Sequence, residues 1–77
     1  MQKDLIEFIV KTLVDDPTSV HINEVQGEKT TVLELKVKED DIGKVIGKQG
    51  RIAKAMRTIL NACSTKEGKK YTLEILD

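Results

Sequence analysis

Apolar residues recur near the start of the chain at Leu5, Ile6, Ile9, Val10, Leu13 and Val14, the spacing of one helix face, with Asp4, Glu7 and Lys11 on the wet side. Asp15-Asp16-Pro17 closes this helix, because proline cannot extend the ladder and biases the residue before it away from helix. The period then changes. Val20-His21-Ile22-Asn23 opens an alternating segment, blurred at Glu24-Val25, and Gly27-Glu28-Lys29 reads as a turn. From Thr30 to Lys38, Leu33, Leu35 and Val37 face one way while Glu34, Lys36 and Lys38 face the other. The two segments are the arms of a hairpin with one apolar face.

Glu39-Asp40-Asp41 offers capping carboxylates for a short helix from about Asp41 to Ile46. Gly47-Lys48-Gln49-Gly50 interrupts it, and a longer helix follows from about Arg51 to Cys63. Ile52, Met56, Ile59 and Cys63 share one face of that helix, Ala53, Ala55, Leu60 and Ala62 widen it, and Lys54, Arg57 and Asn61 lie opposite. The wide stripe either completes the core against the first helix or contributes to a contact between two copies. Ser64 to Lys70 reads as a polar loop, and Tyr71-Thr72-Leu73-Glu74-Ile75 as a third strand. One apolar face per element is buried most simply in a single two-layer α+β domain over residues 1–77, with the helices on one side of a sheet.

Composition narrows the function classes. A chain of 77 residues supports one core, and its eight Ile, seven Leu and seven Val suffice to fill it. A core of that size is marginal alone, so pairing with another chain would help. Thirteen Lys and Arg balance thirteen Asp and Glu, which excludes a binder working by bulk charge. One Phe, one Tyr and no Trp make folds that stack bases on rows of aromatics poor candidates. The single Cys excludes an internal disulfide and suits a reducing compartment. No apolar run exceeds three residues, so neither a signal peptide nor a membrane span is expected, and a soluble cytoplasmic protein is.

The charges, although balanced, are unevenly placed. From Ile42 to Lys66 there are six basic residues (Lys44, Lys48, Arg51, Lys54, Arg57, Lys66) and no acid, while the rest holds seven basic and thirteen acidic groups. Gly47-Lys48-Gln49-Gly50 lies at the centre of this anion-attracting segment and delivers the chain into a helix at Arg51, where unpaired N–H groups and the positive dipole end face outward. A phosphate there would meet backbone donors, with charge from Lys48 and Arg51 and a wider field from Lys44 and Lys54. Val45, Ile46 and Ile52 would floor a groove suited to bases. Alone, two glycines between helices describe no more than a C-cap and a tight turn; the all-basic surroundings and the order of elements give the pattern its weight.

Other chemistry is poorly supported. Lys48 precedes Gln49 rather than Ser or Thr, which fails the phosphate-binding loop of nucleotide hydrolases, and a loop that follows a helix fails the dinucleotide-binding pattern. His21 is isolated in a strand, Cys63 lies on an apolar helix face, and Asp40-Asp41 are neighbours at a helix start. With no nucleophile–base pair, ligand cluster or cofactor motif, the expectation is a protein without catalytic activity, cofactor or metal.

Val45-Ile46-Gly47-Lys48-Gln49-Gly50, with Ile42-Gly43 upstream, resembles the core of the KH domain: an apolar pair, then Gly-x-x-Gly opening a helix. The order α-β-β-α-α-β is similar to the type II arrangement of bacterial KH proteins, and the length is similar to the small stand-alone members of KhpA type. Two positions depart from the usual pattern. Ala53 stands where many members have Ile, with Ile52 one residue earlier, and Met56 replaces another Ile. The resemblance implies a three-stranded sheet with three helices on one face, and about four nucleotides of single-stranded RNA held against Gly47, Lys48, Gln49 and Gly50. It also implies a post-transcriptional regulator or RNA chaperone, self-pairing as a homodimer, and docking on a larger KH-containing partner of KhpB (Jag) type. Two alternatives remain at this level: a protein-interaction subunit with weak RNA contact, and a binder of single-stranded DNA.

Overall fold

The computed structural model describes residues 2–76, with residues 65–67 as backbone only. The first stripe forms α1 (Gln2–Leu13), centred on Ile6 and Val10, which are fully buried, and continued by buried Val14. Leu5, expected on that face, lies at its rim and is exposed, and Phe8 on the outer side is 72% exposed. Beyond Leu13 a 3-10 turn over Pro17–Ser19 is capped by Asp16, whose carboxylate accepts from the Thr18 N–H at 3.2 Å.

The hairpin forms as β1 (His21–Gln26) and β2 (Thr30–Lys36). Its turn is closed by the Gly27 N–H donating to Thr30 O at 2.8 Å. Thr31, Leu33, Leu35 and, just beyond the strand, Val37 all point into the core. The sheet is completed by β3 (Lys70–Ile75), giving the order β1-β2-β3, antiparallel then parallel. Leu33 pairs with Leu73 and Ile22 with Leu35, so these apolar side chains share one face. The opposite face is polar apart from the cross-strand pair Val25–Val32, with Asn23 donating to Glu34 across the strands at 3.0 Å.

The parallel β2–β3 pairing requires a crossover. The chain makes it through a 3-10 turn (Glu39–Asp41), α2 (Ile42–Ile46), the glycine loop and α3 (Arg51–Glu67). Three helices therefore cover one face of a mixed sheet, as the sequence pattern and the KH resemblance imply. The core unites Ile6, Val10, Leu33, Leu35, Val45, Met56, Leu60 and Leu73, with Ala53 also buried. Each fully buried large aliphatic contributes about 2–3 kcal/mol.

Three expectations need correction. The helix does not stop at Cys63 but runs on to Glu67, where Gly68, at φ 73°, supplies the left-handed cap and its N–H donates to Ser64 O at 2.9 Å. The buried line of α3 is Ala53-Met56-Leu60, leaving Ala55, Ala62 and Ile59 exposed. Asp41 makes no side-chain cap hydrogen bond to α2; it is turned inward instead.

Candidate nucleic-acid interface

Asp41 explains how α2 is held. Its carboxylate is only 1% exposed and accepts from the Asp16 N–H at 3.1 Å, joining the start of α2 to the segment after α1. Burial raises the pKa of this group, but the N–H groups of Asp16 and Asp15 and the Lys44 ammonium outweigh it and hold it below the usual carboxylate value. Lys44 donates to Asp15 and, at 3.5 Å, to Asp41. The hydrogen bond to Asp15 is foremost in lifting its pKa above the ordinary lysine value. The Lys44 charge is thus paired with acids rather than directed at the glycine loop.

From α2 the chain enters Gly47 at φ 78°, ψ 173°, a region open essentially to glycine alone. Its N–H closes α2 by donating to Gly43 O at 2.9 Å. An ideal Cβ on Gly47 would lie 2.6 Å from Cγ1 of Ile52, so close packing also excludes a side chain. Lys48 is exposed. Gln49 is left-handed at φ 57°, ψ 25°, and Gly50 follows at φ 74°, ψ 15°, its N–H donating to Gly47 O at 3.1 Å. No side chain caps the start of α3.

The expected site residues are distributed as follows. Lys48, Gln49, Arg51 and Lys54 are exposed around the loop and the first turn of α3, with Arg51 donating to Gln49 Oε1 at 3.3 Å. Ile46 is 37% exposed at the end of α2, whereas Ile52 is half-buried beneath Gly47 and Ala53 belongs to the core. The side chain of Lys66 lies outside the described residues. Besides Lys44, a second cation departs from its sequence reading: Arg57, placed opposite the apolar face, reaches the main-chain O of Leu73 at 3.3 Å. The signal for it was its spacing of seven from Gly50, which sets both on one line of α3.

The rest of the surface offers no competing chemistry among the described residues. A depression of about 430 Å³ is lined by Thr18, Ser19, His21, Lys36, Val37, Lys38 and Glu39, but the Ser19 hydroxyl donates to Asp16 at 2.9 Å. Among the described residues, no group of three or more His, Cys, Asp or Glu is placed to hold a metal, and no helix is long and apolar enough to cross a membrane.

Known proteins share this fold and much of this sequence. Crystal structures of Era share the fold: one from Aquifex aeolicus superposes with a TM-score of 0.61 at 20% identity, covering 96% of this chain and 29% of that one. Era in complex with MgGDPNP and a stretch of 16S ribosomal RNA gives 0.62 at 20% identity, over 96% and 28%. The chain thus spans under a third of the Era chains. Whole-length relatives are much nearer. The RNA-binding protein KhpA of Clostridium perfringens is 60% identical over 74 residues, covering 96% of this chain and 99% of that one. KhpA of Borreliella burgdorferi is 55% identical over 96% and 90%, and KhpA of Aquifex aeolicus 55% identical over 97% and 95%. The sequence model of the family described as "KhpA/KhpB, KH domain" matches residues 3–75, and the chain belongs to that family.

Proposed function

We propose that this chain is a cytoplasmic, non-enzymatic RNA-binding protein that holds a short single-stranded stretch at the Gly47–Gly50 loop. The observation that carries the reading is the backbone of that loop. Left-handed Gln49 and Gly50 turn the chain sharply into right-handed Arg51, and the N–H groups of Gly50 and Arg51 close that turn on Gly47 O and Lys48 O, so the donors offered to a ligand are those of the first turn of α3 beyond Arg51. The loop leads into the N-terminus of α3, which no side chain caps and where N–H donors and the helix dipole favour an anion. Lys48 and Arg51 add charge, Lys54 extends it along the helix, and Ile46 and Ile52 supply apolar surface for bases. Lys44 contributes by fixing α2 through Asp15 and Asp41. Full-length relatives named as RNA-binding proteins support the ligand class. A single domain that occupies about four unpaired nucleotides without altering them acts as a post-transcriptional regulator or RNA chaperone.

The test is fluorescence anisotropy with labelled single-stranded RNA. If about three phosphates are engaged, log K falls with log salt at a slope of about −2. Replacing Lys48 and Gln49 together by Asp abolishes binding while the circular dichroism spectrum is unchanged; a double variant that binds as tightly as the parent refutes the site.

A second reading concerns assembly. Phe8, Ile59 and Leu76 are apolar and exposed, which supports pairing with a second copy or with a larger KH-containing protein of KhpB type. Sedimentation at two concentrations, with and without short RNA, separates a dimer from a monomer; a monomer throughout argues against the homodimer.

A further inference from the structure

Arg57 differs from the other cations of the basic segment because its guanidinium is anchored. It donates to the main-chain O of Leu73, and the sheet register shows which way that oxygen faces. The N–H groups of Lys70 and Leu76 donate to Lys29 O and Leu35 O beside β2. In a parallel pair the even-numbered residues of β3 therefore turn their main chain toward β2, and Tyr71, Leu73 and Ile75 turn theirs outward along the edge of the sheet. The hydrogen bond from the Tyr71 N–H to Ser64 Oγ at 2.8 Å agrees with that orientation.

Gly50, Lys54, Arg57 and Ser64 fall on one line along α3. The line begins at the glycine loop and ends against the outer edge of β3. A strand whose phosphate sits in the loop and which follows this line passes Lys54 and meets Arg57 about 10 Å farther on.

A guanidinium has five donors, a planar fork and no acceptor. With one donor tied to Leu73, the fork is held in a fixed place, and it binds best to a base that shows two adjacent acceptors. Guanine does so through O6 and N7, and cytosine through O2 and N3; adenine and uracil alternate donors with acceptors along the corresponding edges. We propose that Arg57 is a base-reading residue of the groove, biasing the bound strand toward guanine or cytosine at the position beside β3. This rests on the RNA-binding reading above.

The experiment is anisotropy of the full chain with labelled octamers of U, of A and of C, and a U octamer carrying two central G. Wild type binds the C- and G-containing strands about tenfold more tightly than those of A and U. Arg57→Lys, which keeps the charge and loses the fork, binds all four alike. Arg57→Gln, which mixes a donor with an acceptor, shifts the preference to A. Thermal melts followed by circular dichroism verify that both variants are folded. Binding without discrimination by wild type, or a preference that survives in Arg57→Lys, overturns the role of Arg57 and leaves the loop site standing. Wild type that binds none of the strands overturns both.

Discussion

Cγ1 of Ile52 sits 2.6 Å from where a Cβ on Gly47 would be, so the side chain of the second residue of α3 packs into the space the glycine leaves. Gly47→Ala therefore combines a backbone of positive φ with a steric conflict and lowers stability by about 3 kcal/mol, read from urea unfolding. At Gly50 a Cβ meets nothing within 4 Å, and Gly50→Ala carries only the backbone cost, about 1 kcal/mol. Equal losses at the two positions would show that packing on Ile52 is unimportant.

Gln49 is the one described non-glycine residue with positive φ. Left-handed backbone costs an L residue about 1–2 kcal/mol, against about 0.4–1 kcal/mol of unfolded-chain entropy that a glycine adds. Gln49→Gly thus raises the denaturation midpoint slightly, despite losing the Arg51 hydrogen bond. A lower midpoint would mean that this side-chain contact outweighs the strain.

Asp41 predicts a pH dependence. Its pKa lies below the ordinary value of 3.8 in the folded protein, so its contribution to stability is fully present above that value and is lost as pH falls through the lowered one. Asp16, held low foremost by the Thr18 hydroxyl and then by Ser19, acts in the same window. Asp41→Asn keeps an oxygen to accept from the Asp16 N–H but gives up the charge. It should show a lower urea midpoint at neutral pH and a shallower decline below pH 4. An unchanged acid profile would remove Asp41 from the account.

Most of the architecture was legible because it is local. Period-two alternation in Thr30–Lys38 found the face that Leu33, Leu35 and Val37 bury, and the glycine pair located the break between α2 and α3. What escaped was long-range or hinged on one cap. Nothing near Lys44 in the chain announces Asp15, which lies 29 residues away. Asp41 looked like a cap because acids before a helix usually are, yet its partner is a backbone N–H brought in by the fold. Polar Ser64 and Thr65 read as a loop from sequence, although Gly68 beyond them supplies the C-terminal cap of a longer α3. Arg57 was assigned to solvent by the helical wheel, which cannot show that a sheet edge lies beside that flank.

Because β2 and β3 run parallel, Leu33 meets Leu73 only after roughly forty residues have been closed into a crossover containing the glycine loop. Long closures of this kind are slow and come late in folding. A ligand that recognises the loop in its finished shape binds the native chain and not the unfolded one, and so shifts the balance by mass action. On the proposed function, an RNA strand held there would act as a folding partner as well as a ligand.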